Sequence, residues 1–123
     1  NKNTRMKSDN DLISASLKKV IHLTVEAYRS VFGNSMVQII LYGSYARGDF
    51  TDESDLNLAA IVIGHRRELQ QKLRRVWDIS SDLELEYGIL ISPTVIPYDE
   101  YVEYKKDVPY YRNIRREGVN LDV

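Results

Sequence analysis

The sequence predicts an α+β fold, a small mixed β-sheet with helices packed mainly on one face. Three observations carry that reading. Apolar residues recur at helical spacing in two long segments, while the apolar runs at 37–42 and 58–63 are short and continuous, as strands are. A polar, turn-rich stretch separates those two runs. The elements follow in the order helix, strand, strand, helix, strand, helix, and a sheet backed by helices is the layered way to bury their apolar sides.

Residues 1–7 are polar and basic and read as a loose arm. Ser8 and Asp9 are good N-caps. Ile13, Leu17, Val20, Ile21, Thr24, Tyr28, Val31 and Phe32 then recur at helical spacing, with Gly33-Asn34 as the stop. Strands are expected at 36–42 and 55–63. After Gly64 a second helix starts near His65 to Arg67. Its apolar stripe is Leu69, Leu73, Val76, Trp77, Ser80 and Leu83, opposite Arg67, Gln71, Arg74 and Arg75. That helix extends toward Glu86, with Gly88 beyond its end. A third strand at 89–96 contains Pro93, which places it at a sheet edge or at a bulge. Pro97 begins a short helix through Tyr98, Tyr101, Val102 and Lys105. Residues 108–123, rich in tyrosine and arginine, take no assignment from pattern.

A chain of 123 residues suits a single domain, residues 1–123, with one modest core. Its 43% hydrophobic and 28% charged content is that of an ordinary globular protein. A net charge of −1 gives no global field toward nucleic acid or an anionic membrane, so direct nucleic-acid binding is not expected. The absence of cysteine excludes disulfides and thiolate metal sites. No apolar run approaches the roughly 18 residues of a membrane span. The N-terminus lacks a secretion-type apolar core, so the cytoplasm is the expected location. Six of the nine tyrosines fall at or after Tyr87, in a chain with two phenylalanines and one tryptophan. They either complete a small core or mark an interface.

The chemistry concentrates between the first two strands, where residues 43–58 read Gly-Ser-Tyr-Ala-Arg-Gly-Asp-Phe-Thr-Asp-Glu-Ser-Asp-Leu-Asn-Leu. A strand runs into a Gly-Ser turn and a short helical piece, and a loop leads to the next strand at Asp55. Asp55 and Asn57 are two apart, so on a strand they share a face. A small-residue turn beside two metal-type positions on one face is what a metal-bound nucleoside triphosphate requires.

This stretch resembles the Gly-Ser-x10-Asp-x-Asp signature of the polymerase-beta-like nucleotidyltransferase superfamily. Gly43, Ser44, Ala46, Arg47, Gly48, Ser54, Asp55 and Leu58 match the fuller form found in its minimal nucleotidyltransferases. Looser likeness to one branch of that family extends over residues 77–93 and 110–118. The resemblance implies the polymerase-beta-like fold, ATP as substrate and Mg²⁺ as the metal. It also implies an antitoxin role: transfer of AMP to a tyrosine of a small helical HEPN-domain ribonuclease. An aminoglycoside-type enzyme that modifies a small molecule, and a catalytically degenerate module that masks the toxin, are the alternatives.

On that resemblance Gly43 lets the backbone approach the phosphates, and Ser44 donates its hydroxyl and N–H to a phosphate oxygen. Arg47 either touches phosphate or braces the loop through Asp49 or Asp52. Asp55 is the carboxylate ligand of Mg²⁺, which takes hard oxygen donors. Position 57 departs from the family: Asn57 stands where an aspartate is expected, by natural degeneration or by an introduced change. An amide has the shape of a carboxylate without its charge, so one ion is held weakly, two are not neutralised, and little or no transfer is expected. The third family carboxylate aligns with Ser92; Glu84 and Glu86 lie near it and otherwise read as solvated helix residues. His22 and His65 have no partner at ligand spacing and take no role. Arg66, Arg67, Arg74 and Arg75 read as a solvated helix face, whereas Arg112, Arg115 and Arg116 are candidates for partner or nucleotide contact.

Overall fold

Four strands, β1 (Met36–Tyr42), β2 (Leu56–Val62), β3 (Ile91–Pro97) and β4 (Val119–Leu121), form one mixed sheet in the order β3-β2-β1-β4. The computed structural model describes residues 2–121, with side chains from residue 15 onward. β1 pairs antiparallel with β2 and with β4, and β2 pairs parallel with β3. The parallel pairing needs a crossover, which α3 (Arg66–Tyr87) supplies. β3 lies at a sheet edge, where Pro93 costs least, and begins at Ile91 rather than at the expected residue 89.

The strand period of two divides the core. Ile39 and Leu41 of β1, with Leu56, Leu58, Ala60 and Val62 of β2, face the long helices α1 (Lys2–Phe32) and α3. Val20, Tyr28 and Phe32 of α1 and Leu69, Leu73 and Val76 of α3 close that core. Tyr28 is fully buried, and its hydroxyl donates to Thr94 O at 2.8 Å, tying α1 to the edge strand. On the opposite face Ile40, Ala59, Ile61 and Ile96 meet Tyr101 of α4 (Tyr98–Tyr104) and Tyr111 and Ile114 of α5 (Pro109–Glu117). Both long helices therefore lie on one face, as expected, and two short helices cover part of the other.

Several expectations are corrected. α1 begins at Lys2, so residues 2–7 are helix instead of an arm, and the helix does not start at Ser8 or Asp9. No glycine or proline precedes Gly33, so nothing in that polar stretch stops helical propagation; Asn1 lies outside the described residues. Trp77, expected in the apolar stripe of α3, is 43% exposed, one step off the buried line Leu69, Leu73, Val76, Ser80 and Leu83. The unassigned C-terminal segment holds α5 and β4. Helix α3 ends at Gly88, whose φ of 71° forms the left-handed cap expected of glycine there.

Candidate active site

The turn after β1 is built by two glycines. Gly43 has φ 80°, which turns the chain sharply out of the strand, and its carbonyl accepts from the N–H groups of Ala46 and Arg47. The single helical turn Ser44–Arg47 ends at Gly48, at φ 89°. N–H groups at the start of such a turn have no intrahelical partner and remain available. Tyr45 stacks on Phe50 with ring centroids 4.4 Å apart, pinning the loop that follows. Farther along, Thr51 N–H donates to Ser54 Oγ at 2.9 Å and Ser54 N–H to Thr51 O at 3.1 Å. This tight turn delivers Asp55 to the mouth of β2 and gives the signature serine a structural role.

Gly43 and β2 touch. A Cβ on Gly43 would sit 2.6 Å from Asn57 Nδ2, so a larger residue would strain the turn at φ 80° and push that side chain aside. Asn57 is half-buried, its Nδ2 donates to Asp55 O at 3.3 Å, and Asp55 is exposed one residue before the strand. Across the sheet Asn57 pairs with Tyr42 on β1 and with Ser92 on β3. Tyr42, Asn57 and Ser92 therefore form one row on the face opposite the long helices. Gly43, Ser44, Asp55, Asn57 and Ser92 thus gather at one end of the sheet.

Other expected residues lie elsewhere or are already engaged. Arg47 Nε lies 3.4 Å from Asp49 Oδ2, and its Nη1 lies 3.4 Å from Glu117 Oε2 on α5. Both pairs are exposed, and such contacts exchange readily for another anion. Glu84 Oε1 accepts from Ile91 N–H at 2.7 Å and so caps the start of β3, while Glu86 is exposed on α3. His22, His65, Arg112, Arg115 and Arg116 are all exposed. Arg66 is not simply solvated: its Nη2 meets Glu100 Oε1 at 2.6 Å, and Tyr111 donates to the same oxygen at 3.0 Å. Arg66 foremost, and then Tyr111, hold the Glu100 carboxyl below its ordinary pKa through hydrogen bonds.

Two residues of the site went unrecognised in the sequence. The Tyr42 hydroxyl lies 2.8 Å from that of Tyr110, which closes one side of the row. Burial, then the hydrogen bond with Tyr110, raises the Tyr42 pKa well above that of a free phenol. Alternation from Leu41, a core residue, could have placed Tyr42 on the site face. Glu117, the partner of Arg47, is 70 residues distant in sequence and carries no local signal.

As metal donors, Asp55 and Asn57 offer one carboxylate and one amide oxygen, hard ligands of the kind Mg²⁺ accepts when substrate phosphates complete its shell. Among the described residues no three His, Cys, Asp or Glu side chains come together. The donor set fits a single ion and lacks the charge for a pair.

A mixed sheet whose first hairpin seats a Gly-Ser turn against the polar start of its second strand is the frame of a nucleotidyltransferase. Residues 25–117 match the nucleotidyltransferase domain, and the chain belongs to that family. Its relatives include three proteins of Methanocaldococcus jannaschii. "Putative protein adenylyltransferase MJ0604" is 33% identical over 101 residues, covering 82% of this chain and 93% of the relative. MJ0141, under the same designation, is 36% identical over 66 residues, 54% of this chain and 65% of that protein. MJ1305 shares the designation and is 34% identical over 82 residues, 65% of this chain and 54% of its own length. Among the described residues no helix is long and apolar enough to cross a membrane.

Proposed function

We propose that residues 1–123 act as one nucleotidyltransferase domain, an antitoxin of the cytoplasm whose intact form transfers AMP from ATP to a tyrosine of a HEPN ribonuclease. The observation that carries the reading is the contact of Gly43 with Asn57, which sets a phosphate-accommodating turn against the metal-type position of β2. In the reaction the tyrosine hydroxyl oxygen bonds to the α-phosphorus of ATP. The bond from that phosphorus to the bridging oxygen of the β-phosphate breaks, pyrophosphate leaves, and the phenolic proton passes to solvent. The turn at Gly43 and Ser44 orients the phosphates, and Arg47 exchanges Asp49 and Glu117 for them. Mg²⁺, held by Asp55 with Asn57 beside it, would neutralise phosphate charge.

Asn57 and Ser92 impair this chain. Where the family has carboxylates, one row of the sheet presents an amide and a hydroxyl side by side. A masking antitoxin with a vestigial nucleotide site is the second reading, and the same pair of residues favours it. Intact mass of the cognate HEPN protein after incubation with ATP and Mg²⁺ separates the two. The expected result is addition of one or more adenylyl groups with the Asn57→Asp chain and little or none with Asn57. Stable co-purification without a mass shift from either chain rejects transfer and leaves masking.

A further inference from the structure

We propose that α3 is a self-association surface, on which two copies of this chain pair their α3 helices antiparallel about a two-fold axis near Trp77. This inference does not depend on the transferase reading. Trp77 sits at the midpoint of the 22-residue helix and is 43% exposed, and Leu85, about two turns further on, is 88% exposed. A tryptophan left in water on the mostly polar outer side of an amphipathic helix is the kind of anchor that interface centres use.

The charges of α3 are divided about that residue. Its first half carries five basic residues against the single Glu68; its second half carries Asp78, Asp82, Glu84 and Glu86 and no basic residue. Arg67, Arg74, Asp78 and Asp82 are exposed and, among the described residues, form no ion pair. A purely acidic partner would satisfy the first half and repel the second, and a parallel copy would set like charges together. Only an antiparallel copy complements both halves with one surface, as an isologous two-fold contact requires.

The register closes as well. With the axis at Trp77, Arg74 of one copy lies within two residues, about 3 Å along the helix axis, of Asp78 in the other. Gln71 faces Asp82 with an offset of one residue, about 1.5 Å. A groove beside Trp77, lined by Arg67, Gln70, Leu73 and Arg74, leaves room for a side chain from the facing helix. A helix of 22 residues spans about 33 Å. A seam of that length buries less than the roughly 1,600 Å² of a standard interface, so the association is reversible and weak.

Sedimentation equilibrium of the full chain across concentration and salt tests the proposal. The expected mass rises with concentration from 14.3 kDa toward twice that value, and falls back in about 1 M salt, where screening reaches about 3 Å. Arg74→Glu or Asp78→Arg alone sets like charges across the seam and weakens dimerisation at least about tenfold. The two changes together restore it, and Trp77→Ala abolishes it. Unchanged helical circular dichroism separates these effects from misfolding. A chain monomeric under every condition overturns the proposal. So does a dimer indifferent to the single reversals, or a monomer that binds an acidic foreign protein through this face.

Discussion

On one side of β2, Leu56, Leu58, Ala60 and Val62 are buried under α1 and α3; on the other side, Asn57, Ala59 and Ile61 alternate with them, and only the last two are fully covered. The first face is apolar along its whole length. The second is apolar where α4 and α5 pack and polar at the end where Gly43 approaches. A period of two lets one seven-residue strand serve a core and a site at once, because neighbouring side chains never share a face. The core face spends its residues on area removed from water, whereas the site face keeps Asn57 and Ser92 half-exposed beside a glycine turn.

This comparison can be broken most strongly on the core side. Leu58→Ala, at a position with 0% exposure in an interior strand, should cost about 2–5 kcal/mol through lost burial and a residual cavity, read as a lower urea midpoint. Ser92→Ala, across the sheet, should leave that midpoint nearly unchanged. Gly43→Ala should come next. Its φ of 80° and the clash with Asn57 together cost about 1–3 kcal/mol in strain, visible as a lower melting temperature. The same substitution should abolish any thermal stabilisation by MgATP, which Leu58→Ala would reduce only through folding.

The alkaline limb of stability sharpens the comparison further. Tyr28 on the core side and Tyr42 on the site side both have pKa values raised, chiefly by burial. A raised folded-state value means the neutral phenol is favoured by folding. Its contribution is fully present below the unfolded tyrosine value of about 10 and is lost as pH rises above it toward the folded value. Urea midpoints should therefore fall above about pH 10, and Tyr42→Phe should reduce that slope. The smallest effect belongs to Glu117→Gln. Its exposed pair with Arg47 should be worth less than about 1 kcal/mol, and high salt should erase the difference.

Much of this arrangement could be read in advance. Apolar runs marked β1 and β2, Gly33 and Gly88 marked helix ends, and Pro93 pointed β3 to an edge or a bulge, of which the structure has the edge. The residues from Gly43 to Asn57 are close in sequence, so the site's first half was legible as a local pattern. Trp77 misled because amphipathic spacing assigns faces only to within about a residue, and the packing of α3 on α1 and β3 decides which flank is covered. The C-terminal segment stayed unread for a different reason. β4 has three residues, too few for alternation to register, and it exists because the free edge of β1 accepts it at Leu41 and Val119. Tyrosine spacing in α5 gives no face until a sheet stands beneath it.

The sequence by itself determined the element order as far as α4 and the glycine turn, because each depends on backbone conformation or side-chain period within a few residues. The partners that complete the site were settled only in three dimensions: Ser92 beside Asn57, Tyr110 against Tyr42, and Glu117 on Arg47. Those contacts join segments 35 to 70 residues apart, and only the pairing of β2 with β3 and the packing of α5 beside β1 bring them together.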